Sequence, residues 1–381
     1  MRDLPRGCMV HPDRRGRHPL DSRASANRHS RSAPSDEIGG LRLRRVVYTR
    51  RGGLEAIDIV EEDDPVPGKG QIRIEVHRAG INFADLMMRQ GLYGAAPDFP
   101  FTPGYEVSGI VSELGQGVTA HAIGDRVVAM TGFGGYAEQV VTDSDRAWPL
   151  PEHISFDAGA AMPVTYLTAY HMLVHLGNFQ PGDSILVHHA AGGVGTATAQ
   201  LGKALKAGAI YGTASDGKAD FVREHGMIHI SRSQDFVQIV KDELGGVHHA
   251  LDPVGGKHLM DSYRALRSGG RLYVFGASSA VSGEKRSLWA ALKMWRTMPK
   301  FDPLRMMNSN KAVFGVHMGM WKDEVVMRAQ MEALATMLSI GVIDPVVDSV
   351  YRFEQVADAQ KHIHDRGNRG KVLLDFSPIR A

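Results

Sequence analysis

From Leu41 the chain sets apolar against polar residues in short alternating runs. "RRVVYTRRGG", "AIDIVEEDD" and "QIRIEVHRAGIN" are β-branched, close to period two, and closed by Gly or Pro. "EVSGIVSELG", "GDRVVAM" and "GGYAEQVVTD" continue in that style, which predicts a β-rich region with many turns. At "AAMPVTYLTAYHMLVHLG" the period becomes helical. From Pro181 six strand-like runs follow: "DSILVHH", "GAIYGTA", "MIHIS", "VHHALDPV", "GGRLYVFGA" and "KAVFGVHMG". Helical stretches separate most of them, so the pattern predicts a parallel, doubly wound sheet of the Rossmann kind. The fold class is therefore α/β with an added β-rich part. The final "DSVYRFEQVADAQKHIHDRGNRGKVLLDF" returns to strand, helix, strand and is expected to pack back on that β-rich part.

Composition narrows the picture. The 381 residues suit two domains, and a net charge of +2 gives no reason to expect nucleic acid as a partner. No apolar run reaches the roughly 18 residues of a membrane span. The single cysteine, Cys8, excludes an intramolecular disulfide framework and a cysteine-rich zinc site, and the chain reads as cytoplasmic. Residues 1–40 are rich in Arg, Pro, Ser and His and poor in large aliphatics, so they are expected to form a disordered tail.

The chemistry begins at "HHAAGGVGTATAQ", residues 188–200, a glycine turn between a buried-strand pattern and a helical one. Compared with G-x-G-x-x-G, Ala190 replaces the first glycine, while Gly192 and Gly195 keep the other two places. Gly192 would let the backbone approach a pyrophosphate, and Gly195 would let helix and strand pack closely. The N–H groups of Gly193 and Val194, at the helix start, would meet the negative charge. His188 and His189 are expected to be structural. NAD would call for an acid at the end of the next strand, about 20 residues on. Ala214 stands there, and Asp216 follows. Ser215, Lys218 and Arg232 instead suit a 2′-phosphate, which favours NADP.

"AGINFADLMMRQGLYG…PFTPGYEVSGIVSELGQGVTAHAIGDRVVAM" together with "AAGGVGTATAQLGKALKAGAIYGTAS" resembles the medium-chain dehydrogenase/reductase superfamily. Within it the chain looks like the zinc-independent quinone oxidoreductase, or zeta-crystallin-like, branch over about residues 41–378. The later "LDPVGG…GGRLYVFGASS…KRSLWAALKMW…NSNKAVFGVHMG" is most similar to the synaptic vesicle membrane protein-like subgroup. The resemblance implies a GroES-like catalytic domain at 41–163 and 320–381 and a Rossmann domain at 164–319. Zinc alcohol dehydrogenases of this superfamily bind catalytic zinc through a Cys in "GIC", a His in "GHE" and a further Cys near the domain crossover. Here Asn82, Tyr105 and, by a looser match, Val164 stand at those positions, and none is a usual zinc ligand. No metal site is expected.

The implied reaction is hydride delivery from NADPH to a quinone or α,β-unsaturated carbonyl, with donors at the developing oxyanion. Tyr93 is the first candidate donor, with a loop aromatic as its plainer reading. Asn82 would orient nicotinamide or substrate. Asp85 either fixes that turn for function or caps a helix. Tyr105 is expected to pack inward, with a second hydrogen-bond donor as its other reading. The resemblance places Thr165 near the nicotinamide, and Lys371 either near the cofactor phosphate or at the surface.

Residues 278–311 hold Trp289, Trp295, Met294, Met298, Met306 and Met307. Lys285, Arg286, Lys293, Arg296, Lys300, Arg305 and Lys311 face only Glu284 and Asp302 in this stretch. Three readings stand: a structural helix pair over the cleft or at a dimer contact, a lid over a lipophilic substrate, or a helix lying on an anionic membrane. The third underlies an alternative function, a membrane-surface or lipid-handling protein with a regulatory NADP site. "KAVFGVHMG" is a candidate sheet edge for a homodimer.

Overall fold

The structure is a computed structural model that describes residues 42–281, 283–284 and 287–378. The expected tail 1–40, with Cys8, and the cations Lys285 and Arg286 lie outside the described residues. Strands β1 (Arg42–Tyr48) and β2 (Ile57–Asp63) form an antiparallel pair. Strands β3 (Gln71–Ile81), β4 (Glu106–Leu114), β5 (Arg126–Met130), β6 (Gln139–Asp143) and β7 (Ala147–Pro149) follow. In β3 the alternation is literal: Ile72, Ile74 and Val76 are fully buried, and the residues between them are half-buried. Helices α1 (Phe83–Arg89), α2 (Phe156–Ala161) and α3 (Pro163–Tyr170) complete this half, with a π-helical turn at His171–Leu176. The single helical stretch read around 160–177 is therefore broken. Pro163 has no N–H to continue a helix, so it opens a new one.

The alternating region is the expected parallel sheet. Strands β8 (Ser184–His188), β9 (Ala209–Ala214), β10 (Ile228–Ser231), β11 (Val247–Asp252), β12 (Leu266–Val274) and β13 (Ala312–Gly315) lie in the order β10-β9-β8-β11-β12-β13. Helices α4 (Gly193–Ala204), α5 (Ala219–Glu224), α6 (Phe236–Leu244) and α7 (His258–Arg264) make the crossovers. Every residue of β8 is buried, as expected of a strand covered on both faces. The strand order reverses between β8 and β11, and the glycine turn leaves β8 at that point, where doubly wound sheets hold ligands.

Two more helices, α8 (Leu288–Thr297) and α9 (Pro303–Ser309), connect β12 to β13. Helix α10 (Glu324–Ser339) buries Met327, Met331, Leu334 and Leu338 in the same core as Leu173 and Ile185. The end then returns to the first sheet. Strand β14 (Val347–Arg352), helix α11 (Val356–His364) and strand β15 (Lys371–Asp375) give that sheet the order β14-β15-β3-β4-β5-β7, with β6 paired to β3. Strand β15 runs antiparallel to β3 with Val372 opposite Ile81. That register places Lys371 next to Asn82, where β3 ends and α1 begins.

Candidate active site

The carboxyl ends of the parallel strands and the start of α1 face each other across a cleft of about 1150 Å³. Gly192, Gly193, Val194 and Gly195 line one wall. A Cβ on Gly195 would stand 2.2 Å from the Ala190 carbonyl oxygen, and one on Gly193 2.8 Å from Thr165 Cγ2. Helix α4 therefore enters against β8 and α3 more closely than any side chain would allow. Its first N–H groups belong to these cleft-lining residues. His189, just before the turn, takes the left-handed backbone with φ of 56°.

At the far end of this wall Lys218, Arg232 and Arg366 line the cleft. The Lys218 ammonium donates to the carbonyls of Arg366 at 2.8 Å and Asn368 at 2.5 Å. Among the described residues, none of the three cations forms an ion pair with a carboxylate. Burial first, then their mutual repulsion, lowers the pKa of Lys218 and of Arg232. Burial, Arg232 and Arg366 together push His189 down to about 4. Ser215 and Asp216 do not line the cleft; the one-turn helix Asp216–Lys218 brings Lys218 in and leaves Asp216 exposed. Arg366, which the sequence reading missed, follows α11 on the returning segment. Its only sequence signal is the cation- and glycine-rich "HDRGNRGK".

The opposite wall is built on a buried polar knot. Lys371 donates to Asn82 Oδ1 at 2.6 Å and pairs with Glu106 Oε1 at 2.6 Å. Asn82 Nδ2 donates to Glu106 Oε1 at 2.9 Å, and the Val164 amide to Glu106 Oε2 at 2.6 Å. Two expectations change here. Lys371 is 3% exposed, so it is no surface residue, and its ammonium is committed to the knot rather than free for a phosphate. Asn82 lines the cleft, but both ends of its amide are engaged. Asp85 also moves: it is fully buried and lines no part of the cleft. It closes a capping box on α1, accepting from the Asn82 amide at 2.8 Å and from the Tyr136 hydroxyl at 2.6 Å. Burial raises its pKa to about 6. Asp85 thus holds the turn that presents Asn82 and bonds to Tyr136, away from the cleft itself.

Tyr93 and Tyr105 line the cleft above this knot, and burial raises both phenols. Tyr105 packs inward, its hydroxyl donating to Met88 Sδ at 3.5 Å, and its ring also lines the cleft, 5.3 Å from that of Phe133. The Tyr93 ring lies 4.9 Å from the ring of His317, which reaches in from beyond β13. Met87, Leu92, Val281, Met318 and Trp321 add apolar lining. Among the described residues, none of α8 or α9 lines the cleft.

Beneath the glycine turn His188, Asp252 and His258 offer one ligand atom each within 4.8 Å of one another. Hydrogen bonds already engage these groups. His188 contacts Thr213 at 2.9 Å and Ser262 at 3.0 Å, Ser262 donates to Asp252 at 2.6 Å, and His258 contacts Asp252 at 2.8 Å. The other Asp252 oxygen takes the amides of Val254 and Gly255, so the chain ties down the loop after β11. Burial pushes the Asp252 carboxyl up, but its partners, His258 foremost, outweigh this and hold it low.

Residues 68–152 match the alcohol dehydrogenase GroES-like domain, and residues 225–374 the zinc-binding dehydrogenase family. The human synaptic vesicle membrane protein VAT-1 homolog is 38% identical over 342 residues, 88% of this chain and 87% of its own length. The chain belongs to the medium-chain dehydrogenase/reductase superfamily. Solved medium-chain dehydrogenase/reductase structures superpose on it throughout. The human VAT-1 homolog-like protein does so with a TM-score of 0.77 at 32% identity, over 90% of this chain and 100% of its own. The Escherichia coli quinone oxidoreductase complexed with NADPH gives 0.76 at 29% identity, over 87% of this chain and 99% of its own. The chain is thus an oxidoreductase of the medium-chain dehydrogenase/reductase fold, with GroES-like and Rossmann-like parts.

Proposed function

We propose that this chain is a zinc-independent, NADPH-dependent reductase that transfers hydride to a quinone or an α,β-unsaturated carbonyl. The carrying observation is the trio Lys218, Arg232 and Arg366, which line the cleft with no carboxylate ion pair among the described residues, on the same wall as the glycine turn. That combination fits a dinucleotide with a 2′-phosphate. Gly192, Gly193, Val194 and Gly195 would hold the pyrophosphate, and the trio the 2′-phosphate. Thr165 presses on the turn from α3, and Lys371 fixes the wall opposite. Ser215 has a lesser part, since it stands outside the cleft.

When bound, the nicotinamide supplies a hydride. The protein supplies placement and charge. The apolar side chains receive the acceptor, and Tyr93 directs its hydroxyl at the oxygen where negative charge develops. Asn82, Tyr105 and Val164 offer no zinc-type donor set, which supports the metal-free reading. We assign 41–163 and 320–381 to the catalytic domain and 164–319 to the nucleotide domain, in a cytoplasmic enzyme.

The test is a fluorescence titration with NADPH and NADH, then turnover with quinones and enones, with and without chelator. We expect NADPH to bind at least about tenfold tighter, a difference of 1.4 kcal/mol, with chelator having no effect. NADPH binding without turnover of any acceptor sinks the reductase reading, and loss of activity to chelator sinks the zinc-independent part.

One observation favours contact with an anionic membrane surface as well. Helix α8 exposes Trp289 (75%) and Trp295 (71%) alongside the exposed cations Lys293 and Arg296. Flotation with phosphatidylserine vesicles, lost in K293E/R296E, is the expected result, and wild-type protein that stays at the bottom of the gradient removes this reading.

A further inference from the structure

We infer that His317 delivers the proton that must accompany the hydride. The inference rests on the reductase reading and names a residue that reading leaves unassigned. A hydride alone leaves the acceptor as an enolate or hydroquinone anion, so one proton has to follow it.

The proton carriers around the cleft are few. Tyr93 and Tyr105 have phenols that burial raises, which makes them hydrogen-bond donors that keep their protons. Glu106 is held by Lys371, Asn82 and the Val164 amide, and Asp85 is sealed beneath Tyr136. His188 is buried in its own hydrogen-bond chain. His189 stands among Arg232 and Arg366, and burial and those cations keep it neutral near pH 7. His364 takes a hydrogen bond from Arg89, and burial and that guanidinium push it down to about 4.

His317 differs from all of these. It follows β13 at the carboxyl edge of the parallel sheet, on the side of the cleft opposite Tyr93, and lines the cleft. Its ring lies against that of Tyr93, tilted by 35°, yet no described hydrogen bond or ion pair engages its nitrogens. A Cβ built on Gly319 would stand 3.4 Å from His317 Cε1 and 3.7 Å from the Tyr93 hydroxyl oxygen. The imidazole and the phenol therefore border one patch of space, and a glycine keeps it open. The other ionisable groups lining this end are Tyr105 across the cleft, and Lys322 and Glu324 on the His317 side, with Glu324 paired to Arg146.

For an α,β-unsaturated carbonyl, hydride adds to the β-carbon, and the C=C electron pair moves to give the enolate. The Tyr93 hydroxyl hydrogen-bonds to the enolate oxygen. The N–H bond of the His317 imidazolium then breaks, a C–H bond forms at the α-carbon, and the carbonyl is restored. The substrate is reduced by two electrons, NADPH is oxidised to NADP⁺, and neutral His317 regains a proton from water. For a quinone, the same proton goes to the anionic oxygen of the hydroquinone.

The experiment compares wild type with H317Q and H317F, using trans-2-nonenal and 1,4-naphthoquinone as acceptors. H317F keeps an aromatic ring against Tyr93 without a titrating group. We expect kcat to fall about a hundredfold or more in both variants while the NADPH Kd is unchanged. Wild-type rate in H317F overturns the inference even where H317Q is inactive, because only packing is then at stake. Wild type that binds NADPH and reduces neither acceptor removes the reductase reading and this inference together. Turnover that is intact in all three proteins removes the inference alone.

Discussion

Asp85 carries a carboxylate into a place that water does not reach. Its pKa rises from 3.8 to about 6 because burial penalises the charged form more than Tyr136 and the Asn82 amide favour it. The folded state therefore holds the proton more tightly than the unfolded chain. The sign follows: the stability linked to this group is present below about pH 4 and is lost as pH rises through 6, by roughly 3 kcal/mol in all. One oxygen accepts both described hydrogen bonds, and the other has no partner. Asparagine keeps the accepting oxygen and removes the charge. Urea unfolding of D85N should show its stability relative to wild type rising by about 2–3 kcal/mol between pH 4 and pH 7.5. A flat difference would mean that the carboxylate is solvated. At this scale the sequence was partly legible. The Asn82–Asp85 spacing is that of a cap, and the glycine turn is local, so both could be read from neighbouring residues. Lys371 and Asn82 lie 289 positions apart and meet only through the β15–β3 register, so neither alternative read for Lys371 described its ammonium. Arg366 and His317 were hidden for the same reason.

Elements were easier to read than their placement. Alternation of strand and helix after Pro181 is a local property, and the six strands appear in the structure in the order that doubly wound sheets adopt. The helical character of 278–311 was also expected, and the structure caps its two helices with Ser287 and Asp302. Where α8 and α9 sit was not, since amphipathic faces do not say what they cover; among the described residues of 278–311, Ser278, Val281 and Gly283 line the cleft and those of the two helices do not. Strand β13 is the last in its sheet, and we propose that it pairs with its copy in a homodimer. The Val316 amide donates to Val274. In an alternating parallel ladder the amides of Gly315 and Val313 then point outward, away from β12. A Cβ on Gly315 would meet nothing within 4 Å. G315P should therefore remove one outward donor without disturbing the fold. Light scattering should give the mass of two chains for wild type and of one for G315P, while far-UV circular dichroism stays the same. A dimeric G315P would place the contact elsewhere.

Across the whole described fold, the glycine turn is joined to the returning C-terminal segment. The Gly370 amide donates to the Ala191 carbonyl at 2.8 Å, and Gly192 bridges to Gly370. The two sheets thus share the cleft wall, and the proposed phosphate cations come from both sides of that seam: Lys218 and Arg232 from the parallel sheet's loops, Arg366 from the segment leading to β15. A nucleotide held by all three would brace the sheets against each other as well as occupy one of them. Ligand that binds only the folded state adds about 2.7 kcal/mol of stability at a hundred times its Kd. Calorimetry should therefore show NADPH raising the melting temperature more than NADH at equal concentration. Arg366 gives the sharpest check, because it lies outside the parallel sheet and meets no carboxylate among the described residues. R366A should lose about 1.5–3 kcal/mol of NADPH-linked stabilisation, the range for a hydrogen bond to a charged group, and leave the smaller NADH effect as it was. Equal losses with both nucleotides would assign Arg366 to the fold and return the 2′-phosphate to Lys218 and Arg232.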